Sequence, residues 1–191
     1  MSHTSSGTGK VVVNRSMSLD GFIAGPHDTM DWIFDFVAPG ASWLMEIAAA
    51  TGAMLVGRRT HEVGKRMNAN VERESAARDE EYPIPGPVFV LTHEPPDPPD
   101  PGVTFLTGDI GDAVATALAA AGGKNLEILG ADVAGQCLRR GLVDEILVYV
   151  LPVLLGDGIR LSSPGLPRID LEPISSVQAG AVNVLRFRVC K

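Results

Sequence analysis

The sequence predicts an α/β domain with a mixed, mainly parallel central sheet and an antiparallel hairpin at its C-terminal end. From Val103 onward, short continuous apolar segments alternate with alanine-rich or amphipathic segments. Apolar strands of this kind belong to sheets that helices cover on both faces, so a three-layer α/β arrangement is expected. The last segment differs, because Leu185, Phe187 and Val189 alternate with arginines, a pattern typical of an edge strand.

The N-terminal half contains three apolar segments of strand length and one helical segment. Gly52 follows the helical segment and marks its end. The polar stretch from Val63 to Tyr82 has no clear apolar period, so it is interpreted as a loop with a short helix at Glu72–Glu80. The predicted elements are strands at Lys10–Met17, Ala53–Val56 and Pro87–Thr92 and a helix at Ala41–Ala50.

A proline-rich stretch, His93–Gly102, separates the two halves. Its five prolines predict a stiff surface loop rather than a domain linker, because a strand follows directly and neither half has a complete sheet. Residues 10–191 are therefore predicted to form one domain, after a disordered tail at residues 1–9. The remaining elements are strands at Val103–Leu106, Leu126–Leu129 and Glu145–Leu151, helices at Asp109–Ala121 and Asp132–Arg140, and a hairpin that turns at Ala179 and Gly180.

Composition excludes several classes of protein. The 191 residues carry 23 acidic and 16 basic side chains, for a net charge of −7, which disfavours binding to nucleic acids or to anionic membranes. No stretch approaches the roughly 20 apolar residues of a membrane span. The two cysteines, Cys137 and Cys190, form neither a disulfide framework nor a metal-binding cluster. The first nine residues lack the pattern of a secretory signal, so a cytoplasmic protein is expected.

One candidate anion site follows a predicted strand. Gly57, Arg58, Arg59 and Thr60 come directly after the apolar run that ends at Val56. Loops at the carboxyl ends of such strands form the ligand crevice of open α/β sheets. Two guanidinium groups, a hydroxyl and free backbone N–H groups suit a phosphate dianion. The alternative interpretation is a solvated surface turn.

Two further strand ends carry polar or glycine-rich residues. Thr92 and His93 offer a hydroxyl and an imidazole to a nucleotide, unless the strand simply ends in polar residues. Gly130–Gly135 (GADVAG) joins a strand to a helix, whose N-terminus is a natural anion site. The alternative there is close helix packing with Asp132 as the N-cap.

Asp31 and Trp32 are the remaining candidates. A carboxylate in a cleft can relay a proton, and a tryptophan can stack on a planar ring, although both residues also suit turns and cores. Established motifs are missing: the sequence has no complete phosphate loop, no GxGxxG fingerprint, no HExxH pair and no GxSxG elbow. A nucleotide would therefore bind by another scheme.

Several segments together resemble the dihydrofolate reductase-like superfamily, and in particular the reductase domain of the RibD riboflavin-biosynthesis proteins. They occur in the order typical of that family and span nearly the whole chain from Lys10. GLVDE followed by PVLLGDG is the most specific combination. The matching segments are SMSLDGFIA at 16–24, DWIF at 31–34, MLVGRRTHE at 54–62, VFVLT at 88–92 and ILGADVAGQCLRRGLVDEILVYVLPVLLGDG at 128–158.

The resemblance implies a dihydrofolate reductase-like fold, an NADPH-dependent reductase and a homodimer. It implies that the segment at Gly57–Thr60 holds the dinucleotide phosphates and that Thr92 and His93 lie near the 2′-phosphate. Ala24 and Trp32 match positions near the nicotinamide. The residues that match the pyrophosphate cradle are Gly130, Ala131, Asp132 and Val133.

Two departures from the family pattern bear on the substrate. Leu129 stands where the family usually has the first glycine of a pair, and Ile128 stands where the riboflavin reductase has a glutamate that contacts substrate. The expected activity is NADPH-dependent hydride transfer to a small heterocyclic substrate, with Asp31 orienting the substrate or relaying a proton. The alternatives are a dihydrofolate reductase-type activity and a non-catalytic dimeric nucleotide-binding protein of the same fold.

Overall fold

The computed structural model describes residues 9–36, 42–75 and 86–191, and its elements follow the predicted apolar segments closely. Short 3₁₀ turns at Pro26–Asp28 and Asp31–Ile33 follow the second strand. The strands are β1 (Val11–Ser18), β2 (Phe22–Ala24), β3 (Thr51–Gly57), β4 (Val88–Leu91), β5 (Val103–Leu106), β6 (Asn125–Leu129), β7 (Glu145–Leu151), β8 (Ile159–Arg160), β9 (Leu171–Ala179) and β10 (Val182–Val189). The helices are α1 (Ser42–Ala50), α2 (Arg58–Ser75), α3 (Ile110–Ala120) and α4 (Ala131–Arg139).

The main sheet has eight strands in the order β5-β4-β3-β6-β1-β7-β10-β9. Its first six strands pair in parallel, whereas β10 runs antiparallel to both β7 and β9. The predicted mixed, mainly parallel sheet with a C-terminal hairpin is confirmed. A small antiparallel pair of β2 and β8, which the sequence did not predict, stands apart from the main sheet.

Helices pack on both faces of the sheet and produce the three layers. On one face, buried side chains of α3 and α4, such as Val114 and Cys137, pack on Leu126 and Ile128 of β6. On the other face, α1 packs on a second cluster that includes Tyr149. The alanines that dominate α3 allow it to lie close to the sheet, which explains how a chain with few aromatic residues fills its core.

Helix α2 contradicts one prediction. The sequence pattern predicts a loop from residue 63, but Arg58–Ser75 forms a continuous helix that begins directly after β3. Within its first ten residues the apolar side chains are Val63 and Met67, spaced i and i+4, so the helical period is hidden among charged residues. The second half of the predicted helix Glu72–Glu80 lies outside the described residues.

Asp20 joins the SLDG and PVLLGDG segments. Its carboxylate accepts hydrogen bonds from the Ser18 hydroxyl at 2.6 Å and from the backbone N–H groups of Leu155 and Gly156 at 3.1 and 2.8 Å. These bonds, the one from Ser18 foremost, lower the pKa of Asp20 to about 2. Asp20 therefore fixes a loop, and the two segments of the family resemblance meet in space.

The proline-rich stretch is anchored to α2. Asp100 pairs with Lys65 at 2.9 Å and with His61 Nε2 at 2.9 Å, and these contacts lower its pKa, the one from Lys65 foremost. The His61 ring also meets the Phe105 ring edge to face, with centroids 5.9 Å apart. The loop after β4 is thus held against the first turns of α2.

Candidate functional site

A cavity of about 960 Å³ opens at the carboxyl edge of the parallel strands. It is lined by every residue that the sequence predicts for the site except Asp31 and Trp32. The predicted residues that line it are Ala24, Gly57, Arg58, Arg59, Thr60, Thr92, His93, Gly130, Ala131, Asp132 and Val133.

Sheet register explains why segments far apart in sequence meet here. β3 is hydrogen-bonded in parallel to β4 on one side and to β6 on the other, with Gly57 opposite Leu91 and Val56 opposite Leu129. Because parallel strands end at the same edge, the residues that follow these strands lie beside one another. Three independent strand ends therefore form one wall.

Two helix N-termini abut in that wall. The first intrahelical bond of α4 runs from the N–H of Ala134 to the carbonyl of Gly130, so the N–H groups of residues 131–133 have no partner within the helix. No side chain caps this end, because Asp132 instead accepts a hydrogen bond from Gln136 at 2.8 Å. The alternative of Asp132 as N-cap is wrong. The first turn of α2 contains no acidic residue.

The two N-termini approach each other closely at Gly130. A Cβ atom at this glycine, whose φ is +96°, would lie 2.3 Å from Thr60 Oγ1. A Cβ at Gly57 would lie 3.1 Å from Val133 Cγ2. Glycine at these junctions therefore brings unpaired N–H groups and two positive helix ends to one place, which is an arrangement suited to phosphate.

Arg58 and Arg59 both line the cavity and remain largely exposed. Arg58 Nε donates to Glu62 Oε1 at 3.0 Å along the same helix. Arg59 reaches across to the 3₁₀ turn, where its Nε donates to Asp28 Oδ2 at 2.9 Å and its Nη2 pairs with Oδ1 at 2.8 Å. Asp28 raises the pKa of Arg59. The interpretation of Gly57–Thr60 as a plain solvated turn is wrong, since this segment starts a helix at the cavity wall.

Thr92 and His93 lie at the end of β4 on the same wall. The Thr92 side chain is buried and bonds to the backbone of Glu94, at 3.3 Å from its N–H and 3.2 Å from its carbonyl. The Thr92 hydroxyl therefore already forms hydrogen bonds within its own turn. The exposed imidazole of His93 is the group of this pair that faces outward.

Asp31 and Trp32 lie outside the cavity lining. Asp31 is an exposed residue at the start of a 3₁₀ turn, next to Met30, which does line the cavity. Trp32 packs against the core cluster beneath α1, and its Nε1 donates to the carbonyl of Thr29 at 3.2 Å. The structure thus separates these two residues from the other predicted site residues.

The cavity lining also includes Asn14, Arg15 and Asp28, which the sequence motifs do not indicate. Arg15 is only 7% exposed. The available signal was a charged side chain inside a predicted strand that begins with three valines, because arginine is seldom buried without a specific partner.

Comparisons with known proteins show the family to which the chain belongs. A family model described as the RibD C-terminal domain matches residues 9–185. The chain belongs to the RibD C-terminal domain family. A curated relative, the uncharacterised protein YwjB of Bacillus subtilis (strain 168), is 27% identical over 153 residues, which cover 80% of this chain and 82% of YwjB.

Solved structures show that the RibD C-terminal chain has the dihydrofolate reductase-like fold. A putative riboflavin biosynthesis protein from Shewanella sp. PV-4 is similar with a TM-score of 0.72 and 24% identity, over 95% of this chain and 99% of that one. A dihydrofolate reductase from Enterococcus faecalis, complexed with NADP(H), is similar with a TM-score of 0.60 and 15% identity, over 97% and 99%. A bifunctional deaminase and 5-amino-6-(5-phosphoribosylamino)uracil reductase from Thermotoga maritima is similar with a TM-score of 0.64 and 16% identity; the match covers 96% of this chain and 57% of that one.

None of the helices in the described part of this RibD C-terminal chain is long and apolar enough to cross a membrane.

Proposed function

We propose that this protein is an NADPH-dependent reductase that transfers hydride to a C=N or C=O group of a small heterocyclic substrate. The observation that carries the proposal is the convergence of three strand-end segments and two helix N-termini on one cavity. A volume of about 960 Å³ lies in the range of small-molecule and cofactor sites.

The residues present fit a phosphorylated dinucleotide. The unpaired N–H groups at the start of α4 and the close approach at Gly130 form a cradle that a side chain would fill. Arg58 and Arg59 lie beside it, and in this structure they pair with Glu62 and Asp28, from which they would turn toward the phosphate oxygens of a bound nucleotide. When bound, NADPH would supply the hydride, while the protein would orient the reacting groups and compensate their charge.

Specific roles follow from position. The backbone of residues 130–133 would hold the pyrophosphate, and Arg58, Arg59 and Thr60 would hold phosphate oxygens at the start of α2. His93 would lie beside the 2′-phosphate and favour NADPH over NADH. Ala24, which is buried at the end of β2, would border the nicotinamide. Asp31 follows the cavity-lining Met30 but does not itself line the cavity. To orient the substrate or relay a proton, its 3₁₀ turn would have to move toward the cavity.

Replacing Arg59 tests the cofactor proposal. We expect Arg59→Met to weaken NADPH binding about tenfold, because one charge-assisted interaction at an exposed site is lost. NADH, which lacks the 2′-phosphate, should bind the wild-type protein more weakly than NADPH. Calorimetric titration of both nucleotides measures these differences.

Arg168→Met is the matched control for that titration. Arg168 has a side chain that is 88% exposed, forms a pair with Asp170 and lies away from the cavity. This variant should bind NADPH as the wild type does. Absence of NADPH binding to the wild-type protein at millimolar concentration would remove the proposed function. Binding without oxidation across a panel of pyrimidine, pterin and carbonyl substrates would instead favour the non-catalytic alternative.

The homodimer remains a proposal. The apolar run Ile146–Leu155 is long enough to contribute to an interface. Its strand part, β7, lies inside the sheet between β1 and β10, and most of the β7 side chains are buried. The apolar side chains that do reach solvent include Leu154 and, on the edge strand β9, Ile174 and Val177. Light scattering during size-exclusion chromatography should give about 40 kDa, twice the chain mass of 20.1 kDa. A mass of one chain would contradict the proposal.

A further inference from the structure

Arg15 lies where two central strands separate. β1 pairs with β6 only from Val11 to Val13, whereas its pairing with β7 continues to Ser18. A gap therefore opens between β1 and β6 at the carboxyl edge of the sheet. Arg15 belongs to this part of β1 that has left β6, is 7% exposed and lines the cavity.

The guanidinium of Arg15 bridges this gap with one of its two terminal nitrogens. Nη1 donates to the carbonyl of Asn14 on β1 and, at 2.9 Å, to the carbonyl of Ile128 on β6. Both carbonyl groups are thereby satisfied from within the protein. A ligand amino group at the gap would have to share these two carbonyl groups with the positively charged Arg15.

The second terminal nitrogen, Nη2, is buried and has no hydrogen-bond partner among the described residues. Arg15 also forms none of the ion pairs found in the described part of the chain. The acid that acts on it electrostatically is Glu127, whose carboxyl bonds to the Thr51 hydroxyl and whose pKa is raised by burial. A buried donor without a partner destabilises a protein, and the effect is larger when the donor is charged.

The guanidinium keeps its charge at neutral pH. Burial lowers the pKa of Arg15 to about 10, although the Glu127 carboxylate opposes this shift. The gap between β1 and β6 therefore holds a charged group whose buried Nη2 has no hydrogen-bond partner among the described residues, beside two carbonyl groups that already accept a hydrogen bond from Nη1.

We propose that Arg15 binds an oxygen acceptor of the substrate, a carboxylate or carbonyl oxygen, and makes the protein select such groups over amino or amidino groups at this gap. This inference rests on the proposed function, because it requires that the substrate bind in the same cavity as the cofactor. Arg15 is thus a specificity-determining residue. The selection follows from its placement: Arg15 offers a donor, and its Nη1 already uses one acceptor position on each of the two nearby carbonyl groups.

Benzoate and benzamidine are the probes that test this selection. Both carry a planar forked group on the same ring, but benzoate accepts hydrogen bonds and benzamidine donates them. Binding is measured by ligand-observed NMR with NADPH present at saturation, so that the phosphate-binding end is filled. We expect the wild-type protein to bind benzoate at least tenfold more tightly than benzamidine.

The Arg15→Met variant should reverse that preference. It removes the donor and frees the carbonyls of Asn14 and Ile128, so benzoate should bind at least tenfold more weakly and benzamidine more tightly. Arg15→Lys, which retains the charge, should keep a weaker preference for benzoate. Arg168→Met, the control outside the cavity, should behave as the wild type does.

Several outcomes would overturn the inference. Equal binding of both probes by the wild type would do so without any variant, even if Arg15→Met failed to fold. Loss of benzoate binding in Arg59→Met but not in Arg15→Met would show that the benzoate carboxylate binds near Arg59, at the start of α2. Arg15 would then serve only to link β1 and β6 through its hydrogen bonds. Failure of the proposed function would give a different result, namely the absence of NADPH binding. In that case benzoate and benzamidine are compared without the nucleotide.

Discussion

We expect Gly130→Ala to lower the affinity for NADPH by about 100-fold. The new Cβ would lie 2.3 Å from Thr60 Oγ1, so the N-termini of α4 and α2 would have to move apart. Each charge-assisted bond misplaced in this way weakens binding by about 1.5–3 kcal/mol. At φ +96° and ψ +136° Gly130 lies in a region that residues with a Cβ rarely adopt, so the alanine adds backbone strain of about 1–3 kcal/mol. Calorimetry measures the affinity and urea unfolding measures the stability.

Gly165→Ala separates backbone strain from displacement of the helix ends. Gly165 has a φ of +75°, and a Cβ added there would meet nothing within 4 Å, so its substitution introduces strain without a clash. This control should lose about 1 kcal/mol of stability and bind NADPH normally. Adding Thr60→Ala to Gly130→Ala removes the clashing Oγ1 and should recover part of the affinity. Unchanged NADPH binding in Gly130→Ala alone would show that the cradle is not used.

The location of the site was predictable from the sequence because it depends on where strands end. Gly57, Thr92 and Gly130 each follow a short apolar run, and parallel pairing places such positions at one edge. The apolar runs can be recognised in the sequence, and parallel pairing by itself then places the residues that follow them close together. Most element bounds were predictable for the same reason.

Other features depended on contacts that the local sequence does not encode. Helix α2 has too few apolar residues to show the 3.6-residue period of a helix. The sequence therefore suggests a turn at Gly57–Thr60, where the structure has the N-terminus of α2. Trp32 and Asp31 matched family positions, yet one packs into the core cluster and the other faces solvent. Arg15 lines the cavity because β1 pairs with β6 only as far as Val13. The residue at which two strands separate cannot be deduced from the sequence of either strand alone.

Glu145 supports the middle of this sheet by a different kind of interaction. It is the first residue of β7, and only 3% of its side chain is exposed. Its carboxylate pairs with Lys10, just before β1, and with Arg186 of β10, whose Nε lies 2.6 Å away. Burial by itself raises the pKa of Glu145, but the hydrogen bonds from Lys10 and Arg186 outweigh it, so the pKa is lowered overall. The carboxylate therefore joins three strands, including the one that carries Arg15.

We expect Glu145→Gln to reduce the free energy of unfolding by about 3 kcal/mol at pH 7, because two charge-assisted bonds at a buried carboxylate are lost. A carboxyl group whose pKa is lowered by folding stabilises the protein above its unfolded pKa, near 4.3, and loses that effect as the pH falls through its folded value. The difference between wild type and variant should therefore stay constant above about pH 5 and shrink below it.

Glu172→Gln is the matched control for Glu145→Gln, since Glu172 also pairs with an arginine, Arg188, at 2.6 Å on the neighbouring strand. Its side chain is 57% exposed, so solvent screens the pair and the loss should be less than about 1 kcal/mol. Urea unfolding of both variants between pH 3 and pH 8 makes the comparison. Equal losses for Glu145 and Glu172 would show that burial does not strengthen the interaction. A difference that persisted undiminished at pH 3 would show that packing, rather than the carboxylate charge, joins β1, β7 and β10.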